Sequence, residues 1–277
     1  MGSAILGGIL DATRSDHPSD SKISRFIIST KTAQSAERLR STFKADESRI
    51  RFLHSQNVQA MKDADIILLG CKPYMAEDIL GQDGVRDALA GKFVISILAG
   101  TTTQDLAKFI YKDSPGSEEK RPFIVRTQPN VAASVRKSMT IVEIPDPALT
   151  ESLSDVLAWM FEQIGNVKFL TADLFNVGTI LVGASMGILS VPVEGMLDGG
   201  VAGGLRRAEG LECIAQTLSG MAELLKSGTH PAILRENISS PRGCTIQSIL
   251  RLEREATRGT FAQAVIDGVN HLQGDRK

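Results

Sequence analysis

Asp65-Ile66-Ile67-Leu68-Leu69-Gly70-Cys71-Lys72-Pro73 is the stretch whose reading decides the fold. Four consecutive branched apolar residues follow a charge and stop at glycine and proline, a run of strand length. A half-exposed strand would alternate apolar with polar. An unbroken run is what a strand covered on both faces requires, and that is the habit of parallel sheets flanked by helices. Phe93-Val94-Ile95-Ser96-Ile97-Leu98 repeats the pattern and ends in Ala99-Gly100. Outward from these two, residues 24–29, 50–53, 123–126, 139–143 and 167–170 also read as strands. Helical patterns lie between them. One covers 32–43. A second starts at Thr102, with Asp105 three residues on as its capping partner. In a third, Leu153, Val156, Leu157, Met160, Phe161 and Ile164 fall on one helix face. Residues 1–10 read as the first turns of a helix packed closely through small residues. Strands alternating with helices predict an α/β fold with a doubly wound parallel sheet over residues 1–171.

After residue 171 strand patterns cease and small residues dominate, among them Gly178, Gly183, Gly187, Gly195, Gly199, Gly200, Gly203 and Gly204. Helices are expected over 174–198, 206–226, 246–256 and 261–271. Glycine this dense lowers helix stability, so close helix contacts must compensate. An all-helical domain over 172–277 that packs against a copy of itself, as a homodimer or larger homo-oligomer, would supply them.

Composition excludes some classes. Among 277 residues, 42% are hydrophobic and 23% charged, with a net charge of −1. These are the proportions of a soluble globular protein with no general attraction to nucleic acid or a membrane. Three widely spaced cysteines, Cys71, Cys213 and Cys244, argue against a disulfide framework and for a reducing, cytoplasmic location. The four histidines, His17, His54, His230 and His271, have no metal-ligand spacing, so no metal is expected. No signal peptide is read at the start. The longest apolar runs are strand-sized, so no bilayer span is expected.

In a doubly wound sheet a dinucleotide lies at the carboxyl ends of the strands. The candidate exits are Ser29-Thr30-Lys31, Gly70-Cys71-Lys72-Pro73 and Ile97-Leu98-Ala99-Gly100. No carboxylate ends the first of them, where NAD enzymes bind the ribose hydroxyls. Two hydroxyls and an ammonium suit a 2′-phosphate instead, which favours NADPH over the alternative, NADH. A second candidate is residues 230–245, where Ser240-Pro241-Arg242-Gly243-Cys244-Thr245 precedes a new helix. Free N–H groups at a helix start suit a carboxylate, and Thr245 sets a hydroxyl beside them.

The order of these motifs resembles the pyrroline-5-carboxylate reductase family along essentially the whole chain. Met1-Gly2-Ser3-Ala4-Ile5 matches the later part of its nucleotide motif. Asn57, Cys71-Lys72-Pro73, Ala99-Gly100 and Arg126-Thr127-Gln128-Pro129-Asn130 match in turn. In the helical part the matches are Asp198-Gly199-Gly200-Val201, Gly204-Leu205, His230-Pro231, Asn237, residues 240–245, Leu252-Glu253 and Arg258-Gly259. The resemblance implies a Rossmann-like sheet followed by an all-α dimerisation domain. It implies an NAD(P)H-dependent oxidoreductase acting on C=N, which reduces the cyclic imino acid 1-pyrroline-5-carboxylate to L-proline in proline biosynthesis. Thr245 would donate a hydrogen bond to the imine nitrogen. Ser240, Gly243, Cys244 and Thr245 would hold the substrate. Met1, Gly2, Ser3, Ser29, Thr30, Lys31, Asn57, the other two strand exits and Asn237 would contact the cofactor.

Three departures qualify the resemblance. The family's first strand and its Gly-x-Gly, which sits mid-sheet between the second strand and the later ones, would precede Met1. A truncated gene model or alternative start is expected, and with it weak NADPH binding by the chain as numbered. The polar run that opens the long helix becomes Val182-Gly183-Ala184-Ser185-Met186-Gly187-Ile188. The first glycine of Ser-Pro-Gly-Gly-x-Thr becomes Arg242, costing on the order of 1 kcal/mol if that position needs positive φ. Arg242 could instead read a second acid group. The alternatives are therefore a paralogue that reduces a substituted pyrroline-carboxylate in a specialised pathway and a non-catalytic remnant.

Overall fold

The computed structural model describes residues 1–14, 23–112 and 121–274, and His17 lies outside them. The chain falls into two compact units, Met1–Gly183 and Ala184–Lys277.

Among the described residues the first unit holds seven strands: β1 (Phe26–Thr30), β2 (Ile50–His54), β3 (Ile66–Leu69), β4 (Phe93–Ser96), β5 (Phe123–Gln128), β6 (Ser138–Glu143) and β7 (Gly165–Leu170). Its helices are α1 (Gly2–Ala12), α2 (Ala33–Thr42), α3 (Asn57–Asp63), α4 (Ala76–Leu80), α5 (Val85–Leu89), α6 (Thr103–Tyr111), α7 (Glu151–Glu162) and α8 (Ala172–Thr179). β1 and β2 pair in parallel as one sheet, while β3 to β7 form a second in chain order. Among the described residues no ladder joins β1 to β3.

The larger sheet is parallel with one exception: β5 and β6 pair antiparallel, Thr127 opposite Val142. The reason is the length of the connection. Residues 129–137 are fewer than the dozen or so a parallel crossover requires.

β4 shows why the apolar run is unbroken. All four of its residues are buried, Val94 among Leu69, Leu80, Leu89 and Leu106 on one face, Ile95 among Ile5, Val125, Leu157 and Phe161 on the other. Each such side chain stabilises the fold by about 1.5–3 kcal/mol. α1 crosses the second face at Gly8, where a Cβ would stand 2.7 Å from Ile164 Cγ2 and 2.8 Å from the Gln163 carbonyl. Gly8 therefore permits the close packing expected of this helix.

The second unit comprises α9 (Ser185–Ala202), α10 (Arg207–Lys226), α11 (Pro231–Asn237), α12 (Cys244–Arg254) and α13 (Thr257–Gln273). None of these helices has a buried residue, and Leu189, Met196, Leu211, Leu218, Met221 and Leu252 are exposed. One expectation is corrected here. The helical run Ala172–Ala202 spans 31 residues with a mean hydropathy of 1.8 in its most apolar stretch, long and apolar enough to cross a membrane. Glycine, serine and Pro192 break the apolar letters into strand-sized runs, yet they carry no charge to interrupt the helix. α12 starts at Cys244 and α13 at Thr257, both earlier than their apolar patterns begin.

Candidate active site

In the first unit the candidate groups stand at the carboxyl ends of parallel strands, 29–31 in the β1–β2 sheet and 70–73 with 97–100 in the larger one. Ser29 and Thr30 end β1, Lys31 follows, and Asn57 opens α3. Ser29 Oγ donates to Asn57 Oδ1 at 2.8 Å, so two cofactor candidates hold each other. Thr30 Oγ1 donates to the Thr32 carbonyl at 2.9 Å, and Thr32 caps α2 by accepting from the Ser35 amide. Gly70-Cys71-Lys72-Pro73 follows β3, with Pro73 opening a short 3-10 helix. Burial pushes the Cys71 thiol above its ordinary pKa, which disfavours the thiolate and makes this cysteine lining rather than nucleophile.

Ile97-Leu98-Ala99 leaves β4 beside that turn: the Ile97 amide donates to the Leu69 carbonyl at 3.2 Å. Buried Ser96 accepts from the Leu98 amide at 3.3 Å, and buried Thr127 donates to the Ser96 carbonyl at 3.2 Å. These hydroxyls fix the exit from behind. The loop then enters α6 through a complete capping box, Thr102 accepting from the Asp105 amide and Asp105 from the Thr102 amide, both at 3.0 Å. The Thr102 hydroxyl's hydrogen bond holds the Asp105 carboxyl below the usual aspartate range. Met1, Gly2 and Ser3 open α1; among the described residues no hydrogen bond ties them to these exits.

No carboxylate stands at 29–31, 70–73 or 97–100, whereas Lys31 and Lys72 do, both exposed. That donor set fits a polyanionic dinucleotide.

Arg126 and Asn130 of the Arg-Thr-Gln-Pro-Asn run have structural partners. Arg126 pairs with Glu143 at 2.7 Å, both side chains 11% exposed, and lies 4.3 Å over the Phe175 ring. Asn130 Nδ2 donates to the Val182 carbonyl at 2.9 Å. Val182 belongs to the single π-helical turn Ile180–Ala184, and a π turn shifts carbonyls out of the ordinary helix ladder. Asn130 therefore stabilises the irregular turn at the altered Val182-Gly183-Ala184 segment.

In the second unit, α12 begins at the polar loop. Gly243 is its N-cap and donates to the Ser240 carbonyl at 3.0 Å. A Cβ on Gly243 would stand 2.4 Å from Ser240 Oγ, so a larger residue there would have to turn the Ser240 hydroxyl aside. Arg242 has φ +60, the left-handed conformation that glycine adopts without cost. Cys244 and Thr245 form the first turn of α12, where backbone N–H groups have no helical acceptor. The Thr245 hydroxyl has no hydrogen-bond partner among the described residues. Asn237 ends α11, exposed. Asn237 and residues 240–245 thus lie in the second unit, and the remaining cofactor candidates in the first.

The sequence reading passed over Ser96, Thr127 and the end of β2. Ser55, with φ +52, donates from its amide to the Thr30 carbonyl at 2.9 Å and from Oγ to the Lys31 carbonyl at 3.1 Å. The signal for these residues was positional: each stands at or just beyond the carboxyl end of a strand. Among the described residues no cluster of three or more His, Cys, Asp or Glu could hold a metal.

Comparison with known proteins identifies relatives of this chain. Residues 172–274 match the family described as pyrroline-5-carboxylate reductase dimerisation, and residues 1–100 match NADP oxidoreductase, coenzyme F420-dependent. A pyrroline-5-carboxylate reductase of Lophium arboricola is 38% identical over 278 residues, covering 96% of this chain and 87% of the relative. That of Schizosaccharomyces pombe is 32% identical over 278 residues, covering 99% and 95%. The fold is similar to a crystal structure of Plasmodium falciparum pyrroline carboxylate reductase with NADP bound. The TM-score is 0.80 at 23% identity, with 99% of this chain and 94% of the other covered. With such identity maintained over nearly its whole length, this chain belongs to the pyrroline-5-carboxylate reductase family.

Proposed function

We propose that this chain reduces the C=N bond of 1-pyrroline-5-carboxylate to give L-proline. The observation that carries the reading is the Thr245 hydroxyl, which has no hydrogen-bond partner among the described residues and stands in the first turn of α12 beside helix-start amides. The names of the relatives support the same substrate. NADPH, when bound, supplies the hydride that adds to the imine carbon. The nitrogen gains a proton from solvent, and the C=N bond becomes a single bond. Thr245 Oγ1 donates to that nitrogen and draws electron density from the carbon. The amides of Cys244 and Thr245 and the Ser240 hydroxyl hold the substrate carboxylate, while the Gly243 amide stays on the Ser240 carbonyl. Lys31 and the strand exits at 70–73 and 97–99 would hold the dinucleotide in the first unit, with Asn57 and residues 1–3 as further contacts there.

The dimerisation match starting at residue 172 supports a cofactor domain over 1–171 and a helical domain after it, while α8 falls within the first compact unit. That match and the exposed apolar side chains of α9 to α13 support a homodimer or larger homo-oligomer. Free Cys71, Cys213 and Cys244 support a reducing, cytoplasmic setting.

The test is a Thr245 series. Thr245→Val should lower kcat about a hundredfold with little change in the KM for NADPH, and Thr245→Ser should recover most of it. A valine variant as fast as the parent would overturn the role. A second reading, a substituted pyrroline bearing another acid group, is favoured by Arg242, which is exposed and has no ion-pair partner among the described residues. Faster turnover of a dicarboxylated pyrroline than of 1-pyrroline-5-carboxylate would decide for it.

A further inference from the structure

β1 and β2 run parallel, so both open on the same edge, and Thr30 stands directly opposite His54. Register partners on strands about 4.8 Å apart share a face of the sheet. Two residues back, the corresponding partners Ile28 and Phe52 pack together beside Leu39 of α2. Ser55 fastens the two exits together through the Thr30 and Lys31 carbonyls.

The hydroxyls here are already committed. Ser29 donates to Asn57, and Thr30 donates to the Thr32 carbonyl. Each hydroxyl has a single proton, so neither can also donate to a phosphate in this arrangement.

The carboxylates nearby are committed too. The acids of α2, of the 3-10 helix Lys44–Arg49 and of α3 are Glu37, Asp46, Glu47 and Asp63. Arg40 pairs with Glu37 and Glu47, Arg14 and Arg49 with Asp46, and Arg51 with Asp63. At this edge Lys31 and His54 are both exposed, and neither has a side-chain partner among the described residues. An imidazole always carries at least one N–H, whatever its protonation state.

We propose that His54, together with Lys31, is a specificity-determining contact for the 2′-phosphate of NADPH. The inference rests on NADPH being the cofactor. Lys31 supplies the charge, and His54 supplies a directed N–H from the neighbouring strand. The fixed Ser55 turn sets the distance between them.

Calorimetric titration of the 277-residue protein with adenosine 2′,5′-bisphosphate and with adenosine 5′-monophosphate tests it. His54→Ala should weaken the bisphosphate about tenfold and leave the monophosphate unchanged, the loss expected for one charge-assisted hydrogen bond. His54→Gln, which keeps an N–H donor, should recover part of the loss, and Lys31→Ala should show the same selective weakening. A parent protein that prefers the bisphosphate, with the preference intact in His54→Ala, would overturn the role of His54 alone. A parent that does not distinguish the nucleotides would overturn the NADPH reading and the role of His54 with it.

Discussion

Asp46 holds the end of α1 to the β1–β2 region. Arg14 donates to it through Nε at 3.1 Å and also through its terminal nitrogen, and Arg49 stands 3.5 Å away. The Arg14 hydrogen bonds outweigh the opposing effect of burial and hold this carboxyl below the ordinary aspartate value. A depressed folded pKa means that the stabilisation is present above the unfolded value and is lost as pH falls toward the folded one. Asp46→Asn should therefore destabilise the protein at pH 7 by about 2 kcal/mol in urea unfolding, with the gap closing below about pH 4. A gap that is the same at pH 7 and pH 3 would contradict this. At this scale the sequence is legible where chemistry is local. The Thr102–Asp105 box can be read from spacing, Thr245 and Gly243 stand out through resemblance to the family's loop, and Arg242 has the positive φ on which its expected cost depended. The Arg14–Asp46 pair spans 32 residues, a separation at which no local pattern marks partners.

Elements follow local pattern wherever one face or both are buried in regular fashion, which is why β3, β4, α6 and α7 lie where periodicity puts them. The pairing of β5 with β6 is different, since direction depends on connection length and leaves no mark on either strand's residues. The π turn Ile180–Ala184 was also hidden, because an altered helical register shows only through its partner, Asn130. β6 and β7 meet at Gly165, whose φ is +151 and where a Cβ would stand 1.9 Å from the Ser138 carbonyl. Backbone cannot yield that space without breaking the ladder that runs from Ser138–Gly165 to Glu143–Leu170. Gly165→Ala should cost more than about 3 kcal/mol, read as a loss of soluble, cooperatively melting protein. A variant melting within a few degrees of the parent would contradict this account of the β6–β7 contact.

For the whole molecule, the unburied helices α9 to α13 are the feature that a single chain leaves unexplained. Their exposed leucines and methionines exceed what a solvated surface tolerates, so association through this unit is the physical expectation. Sedimentation equilibrium should find a dimer or larger species, and a monomer at all concentrations would contradict it. The glycine content of this region was legible in the sequence, while the partner it implies lies outside any one chain's residues. Catalysis is the claim on which the rest of the account turns. The most direct measurement is NADPH consumption by the purified protein on adding 1-pyrroline-5-carboxylate, with L-proline assayed in the same vessel. The account predicts NADPH loss matched by equimolar proline. Folded, NADPH-binding protein that leaves NADPH unconsumed and forms no proline would contradict it.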